Sequence, residues 1–152
     1  MSELVYRSMT LPDIEQVYEI ECSCFSQPWS VESLIGEVIR NDAASYVVAE
    51  DNGKIVGYAG MWQMFDEAHM TNIAVAAEYR CRGIATNLIL CLMQTAKANG
   101  GKRMTLEVRE FNHKAQRVYS ALGFRYAGTR RKYYSDTVSY THLRAHETRS
   151  NL

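Results

Sequence analysis

The sequence carries no excess of either charge, since 17 lysine and arginine residues balance 17 aspartate and glutamate residues. Domains that bind nucleic acid or membranes through a whole surface are usually basic, so the balance argues against both partners. Any anion site is therefore expected to be local. The chain also lacks an apolar stretch that could span a bilayer and a basic N-terminal segment followed by an apolar core. We expect a soluble cytoplasmic protein.

Cysteine pairs are also absent. None of the 4 cysteines forms a C-x-x-C motif, so neither a zinc site nor a disulfide framework is predicted. Cys91 lies among apolar residues of a long helical pattern and is expected to pack in the core. Cys81 lies in a basic turn, but no base is evident near it, which argues against a catalytic nucleophile.

A chain of 152 residues is long enough for one compact domain and too short for two ordinary ones. Hydrophobic periodicity and turn residues predict its elements. The predicted helices begin at Thr10 and Ser30 and span 83–98 and 112–122; the predicted strands span 5–8, 45–50, 55–62, 69–75, 102–108 and 124–134.

Some details of these elements are specific enough to test. In the first helix, the apolar face is assigned to Ile14, Val17, Tyr18 and Cys22. The turn at 51–54 predicts a β-hairpin between the second and third strands. The strand, helix and strand spanning 69–108 form a β-α-β unit, which predicts that these two strands are parallel.

A basic turn at 80–85 joins a strand to the start of the long helix. Its residues are Arg80, Cys81, Arg82, Gly83, Ile84 and Ala85. Amide groups at a helix start have no helical partner and the helix dipole adds positive charge, so such a turn can bind a phosphate. A simple strand-to-helix turn with exposed arginines explains the same residues, and alone this stretch favours that simpler explanation.

The end of the chain contains one metal-binding pattern. His142 and His146 are four residues apart, and Glu147 follows them. The order is not H-E-x-x-H and no third ligand is evident, so no metal site is predicted.

Taken together, residues 4–136 resemble the GCN5-related N-acetyltransferase (GNAT) superfamily, whose signature is a Gln/Arg-x-x-Gly-x-Gly/Ala loop after a strand. Arg80 to Ala85 match that loop. Within the superfamily the chain is most similar to the RimI type, the ribosomal-protein-alanine N-acetyltransferases. The matching stretches are Phe25-Ser26-Gln27-Pro28-Trp29-Ser30, Asn72-Ile73-Ala74-Val75, Leu106-Glu107-Val108-Arg109-Glu110-Phe111-Asn112, Tyr119-Ser120-Ala121-Leu122-Gly123-Phe124 and Arg130-Arg131-Lys132-Tyr133-Tyr134-Ser135-Asp136.

The resemblance implies an α/β (α+β) GNAT fold, with a mixed central sheet of about six to seven strands flanked by four helices. It also implies that acetyl-coenzyme A (acetyl-CoA) binds between two splayed parallel strands. The turn at 80–85 would hold the pyrophosphate, and Ile73, Ala74 and Val75 would offer main-chain groups to the pantetheine arm and the thioester. Asn112 would bind the cofactor through its side chain, although a helix N-cap explains this residue nearly as well.

Two residues would carry out the chemistry, by direct transfer in a ternary complex without a metal or a covalent enzyme intermediate. Glu107 alternates with Leu106 and Val108, so it points away from their face and toward the expected cleft; it would act as the base. The resemblance implies that Tyr119 protonates the departing thiolate. A solvated strand carboxylate and an aromatic core residue are the respective alternatives.

The acceptor is expected to be the N-terminal α-amine of a protein, most specifically the N-terminal alanine of a small-subunit ribosomal protein. A small-molecule amine or a lysine side chain is the near alternative, and a non-catalytic acyl-CoA-binding module is an alternative of another class. The module would need neither Glu107 nor Tyr119. Phe25, Trp29, Phe65 and residues 131–134 are expected to shape the acceptor pocket; Phe25 and Trp29 are equally compatible with core packing.

The chain departs from the RimI pattern after Asp136, where an acidic turn and an apolar closing strand would follow. The ending from about Val138 looks instead like translated adapter sequence. The resemblance therefore covers a domain at 1–136, and we expect residues 137–152 to be a non-native tail in place of the closing strand. A missing edge strand would expose its neighbour.

Overall fold

The structure is a computed structural model that describes residues 4–109, 111–130, 137–140 and 149–151. These residues form eight strands and four α-helices. The strands are β1 (Leu4–Ser8), β2 (Ala44–Asp51), β3 (Lys54–Met64), β4 (Glu67–Val75), β5 (Arg103–Arg109), β6 (Tyr126–Arg130), β7 (Thr137–Tyr140) and β8 (Arg149–Asn151). The helices are α1 (Ile14–Cys24), α2 (Val31–Ile39), α3 (Ile84–Ala98) and α4 (His113–Ala121).

The strands form one mixed sheet in the order β1-β2-β3-β4-β5-β7-β6, and β8 pairs with β4 off this path. The pairing of β4 with β5 is parallel, as the β-α-β unit predicts, and the hairpin of β2 with β3 is antiparallel. The predicted α/β class and four helices are confirmed. The predicted count of six to seven strands is wrong, because the described residues form eight.

The sheet is covered on both faces by apolar clusters. On one face α3 and α4 contribute Leu88, Leu92 and Tyr119 to a cluster that includes Leu106 and Val108 of β5. On the other face α1 and α2 pack Val17 and Leu34 against Tyr58 and Ala74. We call these faces the α3 face and the α1 face.

The apolar face predicted for the first helix is partly wrong. Ile14 and Val17 are buried, but Cys22 is exposed and Glu21 is fully buried. At about 100° per residue, Glu21 lies almost in line with Ile14 along the helix, whereas Cys22 is turned about 80° away. The helical geometry therefore places Glu21, and not Cys22, on the face of α1 that packs against the sheet. Thr10 to Asp13 do precede this helix, as a 3-10 turn at Leu11–Asp13.

A short strand follows Asp136, within the segment that is predicted to be a non-native tail in place of the closing strand. Thr137–Tyr140 forms β7, which pairs antiparallel with both β5 and β6. Whether residues 137–152 are native stays a prediction.

Candidate active site

The two parallel strands pair over only a short distance. Glu67–His69 of β4 are in register with Arg103–Thr105 of β5, and the pairing of these two strands ends at His69 and Thr105. Beyond it, β4 runs on to Val75 and β5 to Arg109. The register of β4 with β3 also shifts by one residue between Gly60 and Met61, as expected for a bulge that bends a strand. A groove thus separates the C-terminal halves of β4 and β5.

In this structure the last strand of the chain lies against β4 in that groove. β8 pairs in parallel with Asn72, Ile73 and Ala74, and the Ser150 hydroxyl is hydrogen-bonded to the Tyr119 hydroxyl. Ser150 is also the register partner of Ile73. The groove therefore admits an extended main chain, and Tyr119 lies across it from the main chain of Ile73.

Ile73, Ala74 and Val75 are buried and divide their side chains between the two faces. Ile73 and Val75 belong to the cluster on the α3 face, and Ala74 belongs to the cluster on the α1 face. Their side chains are thus committed to the core. The main-chain edge that β8 uses is what these residues can offer to a ligand.

The basic turn starts α3 in the predicted way. Gly83 is the N-cap, with a φ of 81°, and Cys81 also has a positive φ of 63°. The turn borders a cavity of about 80 Å³. This cavity is lined by Val75, Tyr79, Arg80, Cys81, Gly83, Ile84, Ala85, Thr86, Lys114 and Val118. The turn, the end of β4 and α4 therefore meet in one place, with two cationic side chains in the lining.

The two arginines of the turn have different environments. Arg80 Nε donates to the Val75 carbonyl oxygen at 3.0 Å, and its guanidinium donates to Cys24 Sγ at 3.3 Å. The Arg82 guanidinium lies 5.0 Å from the centre of the Tyr79 ring, a cation–π arrangement. Arg80 thereby holds the end of β4 to α1, while Arg82 is exposed.

Asn112 caps α4. Its Oδ1 accepts a hydrogen bond from the Ala115 amide at 3.2 Å. The capping explanation from the sequence is therefore confirmed, and Asn112 is absent from the residues that line the cavity at the turn.

Glu107 and Tyr119 are both fully buried but are associated with opposite faces of the sheet. Leu106 and Val108 belong to the α3 face, so Glu107, between them in the strand, points to the α1 face. Tyr119 packs in the cluster on the α3 face, with its ring 6.0 Å from that of Phe124. Burial raises the pKa of Tyr119, opposed in part by the hydrogen bond to Ser150. Glu107 lies on the part of β5 that borders the groove, and Tyr119 reaches the groove through its contact with Ser150.

A row of buried polar residues on the α1 face was missed from the sequence. His69 Nδ1 lies 3.0 Å from Thr105 Oγ1, and the Thr71 hydroxyl donates to Asn72 Oδ1 at 2.8 Å. His69 and Asn72 pair with Trp62 and Gly60, which share one face of β3. The alternation of His69 and Thr71 with apolar residues was an available signal.

The aromatic residues between α1 and α2 are held by a second missed residue. Glu21 accepts hydrogen bonds from the Trp29 amide, at 2.8 Å, and from the Tyr58 hydroxyl. Phe25 and Trp29 are half-buried and pack against the cluster on the α1 face. Phe65 is 90% exposed, and residues 131–134 lie outside the described residues.

Two further features concern only the described part of the chain. There, no three His, Cys, Asp or Glu side chains come together as ligands for a metal ion; His142 and His146 lie outside this part. None of the helices found there combines the length and the apolar character that crossing a membrane requires.

Residues 14–124 match the model of the acetyltransferase (GNAT) family. A Bacillus subtilis protein named as a candidate ribosomal protein bS18-alanine N-acetyltransferase is 41% identical over 130 residues, which cover 86% of each chain. The Escherichia coli ribosomal protein bS18-alanine N-acetyltransferase is 32% identical over 132 residues, again 86% of each chain.

Solved structures agree in fold. The crystal structure of the ribosomal-protein-S18-alanine N-acetyltransferase from Escherichia coli superposes with a TM-score of 0.80 at 27% identity, covering 91% of this chain and 90% of that one. The crystal structure of the PaiA N-acetyltransferase from Thermoplasma acidophilum, in complex with coenzyme A, superposes with a TM-score of 0.81 at 18% identity, covering 93% of this chain and 99% of that one. At that identity the second likeness concerns the fold alone.

Proposed function

The chain belongs to the acetyltransferase (GNAT) family, and we propose that it transfers the acetyl group of acetyl-CoA to the N-terminal α-amine of a protein. The most specific form of the proposal is that the acceptor is the N-terminal alanine of a small-subunit ribosomal protein in the cytoplasm. The names of relatives that are 32–41% identical over most of both chains support it. The observation that carries it is the groove between β4 and β5, with the basic turn at one end.

The proposed site for the cofactor phosphates is the start of α3. Ile84, Ala85 and Thr86 open this helix after the Gly83 cap, and the first amides of a helix have no partner within it. Those amides, with the helix dipole and the cations of Arg80 and Lys114 in the same cavity lining, fit a pyrophosphate. The positive φ of Gly83 supports the proposal because it turns the chain sharply into the helix.

The proposed site for the pantetheine arm is the edge of β4 that β8 occupies in this structure. The arm contains amides, and the pairing of β8 with residues 72–74 supports the idea that amides can bind this edge. Binding there would direct the thioester toward the space beside Ile73 and Tyr119. In this chain β8 has to leave the edge before the arm can bind.

Glu107 is the proposed base. An amine that enters from the α1 face must lose a proton before its lone pair can attack the thioester carbonyl carbon. A buried carboxylate on that face, two residues beyond the last residue of β5 that pairs with β4, is suited to accept the proton directly or through one water. The proton taken from the amine then remains on Glu107 until the product leaves.

Tyr119 is the proposed acid. As the new N–C bond forms, the C–S bond breaks and the thiolate needs a proton. A tyrosine hydroxyl is protonated at neutral pH, and burial raises the pKa of Tyr119 further, so the hydroxyl has a proton to donate to the sulfur. The hydrogen bond to Ser150 supports this, since it marks a polar partner within reach of the hydroxyl inside the groove.

The test is to measure kcat/KM with acetyl-CoA and three acceptors: a peptide beginning Ala-Arg, a lysine peptide with a blocked N-terminus, and spermidine. We expect the first peptide to be acetylated at least about tenfold more efficiently than the others. That ratio corresponds to about 1.4 kcal/mol of transition-state discrimination. A preference for spermidine or for the lysine peptide would contradict the proposed acceptor and leave the acetyl-CoA chemistry standing.

A further inference from the structure

Asn72 is a fully buried amide with one polar atom left over. Its side chain lies on β4 and is 0% exposed. Among the described residues its Nδ2 has no hydrogen-bond partner. Because a buried donor without a partner is costly, such a group in a native fold calls for an explanation.

The orientation of this amide is fixed by its neighbours. The Thr71 hydroxyl donates to Asn72 Oδ1 at 2.8 Å. Behind it, the Tyr46 hydroxyl lies 3.5 Å from Thr71 Oγ1 and donates to Glu37 Oε1 at 2.9 Å. With Oδ1 engaged on this side, the amide presents Nδ2 away from Thr71.

The position of Asn72 relates it to the proposed base. It lies beyond the last residue of β4 that pairs with β5, on the α1 face of the sheet. Glu107 points to the same face from β5. The donor and the carboxylate therefore flank the same end of the groove, on the side from which the amine would enter.

The chemistry of a protein N-terminus explains why a donor is useful there. In an N-terminal residue the first main-chain carbonyl is attached to the same carbon that bears the α-amine. A lysine ε-amine lies at the end of a flexible four-carbon stem and has no carbonyl next to it. A donor beside the base can therefore distinguish these two classes of amine.

Resting on the function proposed above, we propose that Asn72 Nδ2 donates a hydrogen bond to the first main-chain carbonyl of the acceptor peptide. Asn72 then selects α-amines and holds the attacking nitrogen near Glu107. A site built to hydrogen-bond a substrate group discriminates strongly against analogues that lack it, because its own polar atom stays unpaired.

The test uses two acceptors with the same sequence. One is a peptide beginning Ala-Arg, and the other carries a trans-alkene in place of the first amide bond, which keeps the shape and removes the carbonyl oxygen together with the amide N–H; the Asn72 variants separate the two losses, because only the oxygen can accept from Nδ2. We expect the parent protein to favour the peptide by about tenfold in kcat/KM. In Asn72→Ala, and in the isosteric Asn72→Asp, this ratio should fall to within about twofold of unity.

Asn41→Ala is the control, because Asn41 is a half-buried asparagine whose amide donates to Glu37, the carboxylate that also accepts from Tyr46. It should leave the parent ratio unchanged even if it lowers stability. A parent ratio near 1, or an unchanged ratio in an Asn72 variant that remains folded, would overturn the inference. A parent that acetylates neither acceptor would instead refute the proposed function, and the inference with it.

Discussion

At the scale of single residues, the proposed chemistry depends on two buried groups on either side of one groove. Neither Glu107 nor Tyr119 has an exposed surface, so each can act only on a substrate that enters the groove. The effect of each residue on turnover can therefore be measured separately from its effect on binding at the protein surface. The substitution of either one is expected to change turnover more than it changes cofactor affinity.

We predict that Glu107→Gln and Tyr119→Phe each lower kcat by about 10²-fold, the range of general acid–base groups. Steady-state kinetics with saturating acetyl-CoA measure this. Glu15→Gln on an exposed site of α1 and Tyr6→Phe on β1 are the matched controls and should stay near the parent rate. If both site variants kept kcat/KM within about threefold of the parent, the assigned roles would be wrong.

A second residue-scale prediction concerns acid stability. Arg7 binds Asp13 through two hydrogen bonds of 2.7 and 2.8 Å, which hold the pKa of Asp13 at about 2 instead of 3.8. A folded-state pKa below the unfolded value stabilises the fold above the unfolded pKa, and the contribution disappears as pH falls toward the folded one. Asp13→Asn should therefore cost about 1–2 kcal/mol at pH 7 and much less near pH 2.

Chemical denaturation of the parent and of Asp13→Asn at several pH values measures this difference. Asp42→Asn, which replaces an exposed carboxylate, is the control and should lose little at any pH. A loss in Asp13→Asn that stays constant from pH 7 to pH 2 would show that the ion pair is not its source.

At the scale of elements, the start of α3 is the part that the proposal assigns to the cofactor. Gly83 at its N-terminus and Gly100 just past its C-terminus have nearly the same positive φ, 81° and 86°, and open space where a Cβ would go. Replacement by alanine should therefore cost about 1 kcal/mol of stability at either position. The main difference between the two glycines is that Gly83 lies at the N-terminus of α3 and Gly100 lies just past its C-terminus.

We predict that Gly83→Ala raises the KM for acetyl-CoA about threefold or more, because the strain disturbs the amides that bind the phosphates. Gly100→Ala is the control, with a similar loss of thermal stability and an unchanged KM. Equal KM values in the two variants would argue against a phosphate site at the start of α3.

The strand β8 leads to a prediction of the opposite sign. Since it pairs with residues 72–74 of β4, it occupies the edge proposed for the pantetheine arm. Deletion of residues 149–152 should lower the Kd for acetyl-CoA, measured by calorimetry. The expected factor is the one by which the pairing of β8 with β4 now reduces the fraction of protein that can bind the cofactor. Ser150→Ala, which removes only the contact with Tyr119, should have a smaller effect. A higher or unchanged Kd after the deletion would contradict the proposed competition between β8 and the cofactor.

The elements themselves were largely predictable from the sequence, and particular residues show where that ended. The cap at Ser30, the hairpin at 51–54 and the burial of Leu88 and Leu92 follow from local patterns. The burial of Glu21 and the polar row that contains Thr71 and Asn72 do not follow from local patterns. The first depends on a partner, Tyr58, that is distant in sequence, and the second on a register shift between two strands.

At the scale of the whole molecule, one sheet separates two core clusters and opens between β4 and β5. The turn at 80–85 and Tyr119 approach the groove from the α3 face, whereas Asn72 and Glu107 approach it from the α1 face. In the account proposed above, the cofactor and the amine therefore meet from different faces. The family supplies the acetyl transfer, and in this account the residues on the α1 face select the amine that receives it.

The most direct test of this account is to offer one peptide that carries both an N-terminal alanine and an internal lysine, and to locate the acetyl group by tandem mass spectrometry. The account predicts acetylation on the α-nitrogen, with the lysine unmodified at low conversion. Acetylation of the lysine side chain in place of the α-amine would contradict it.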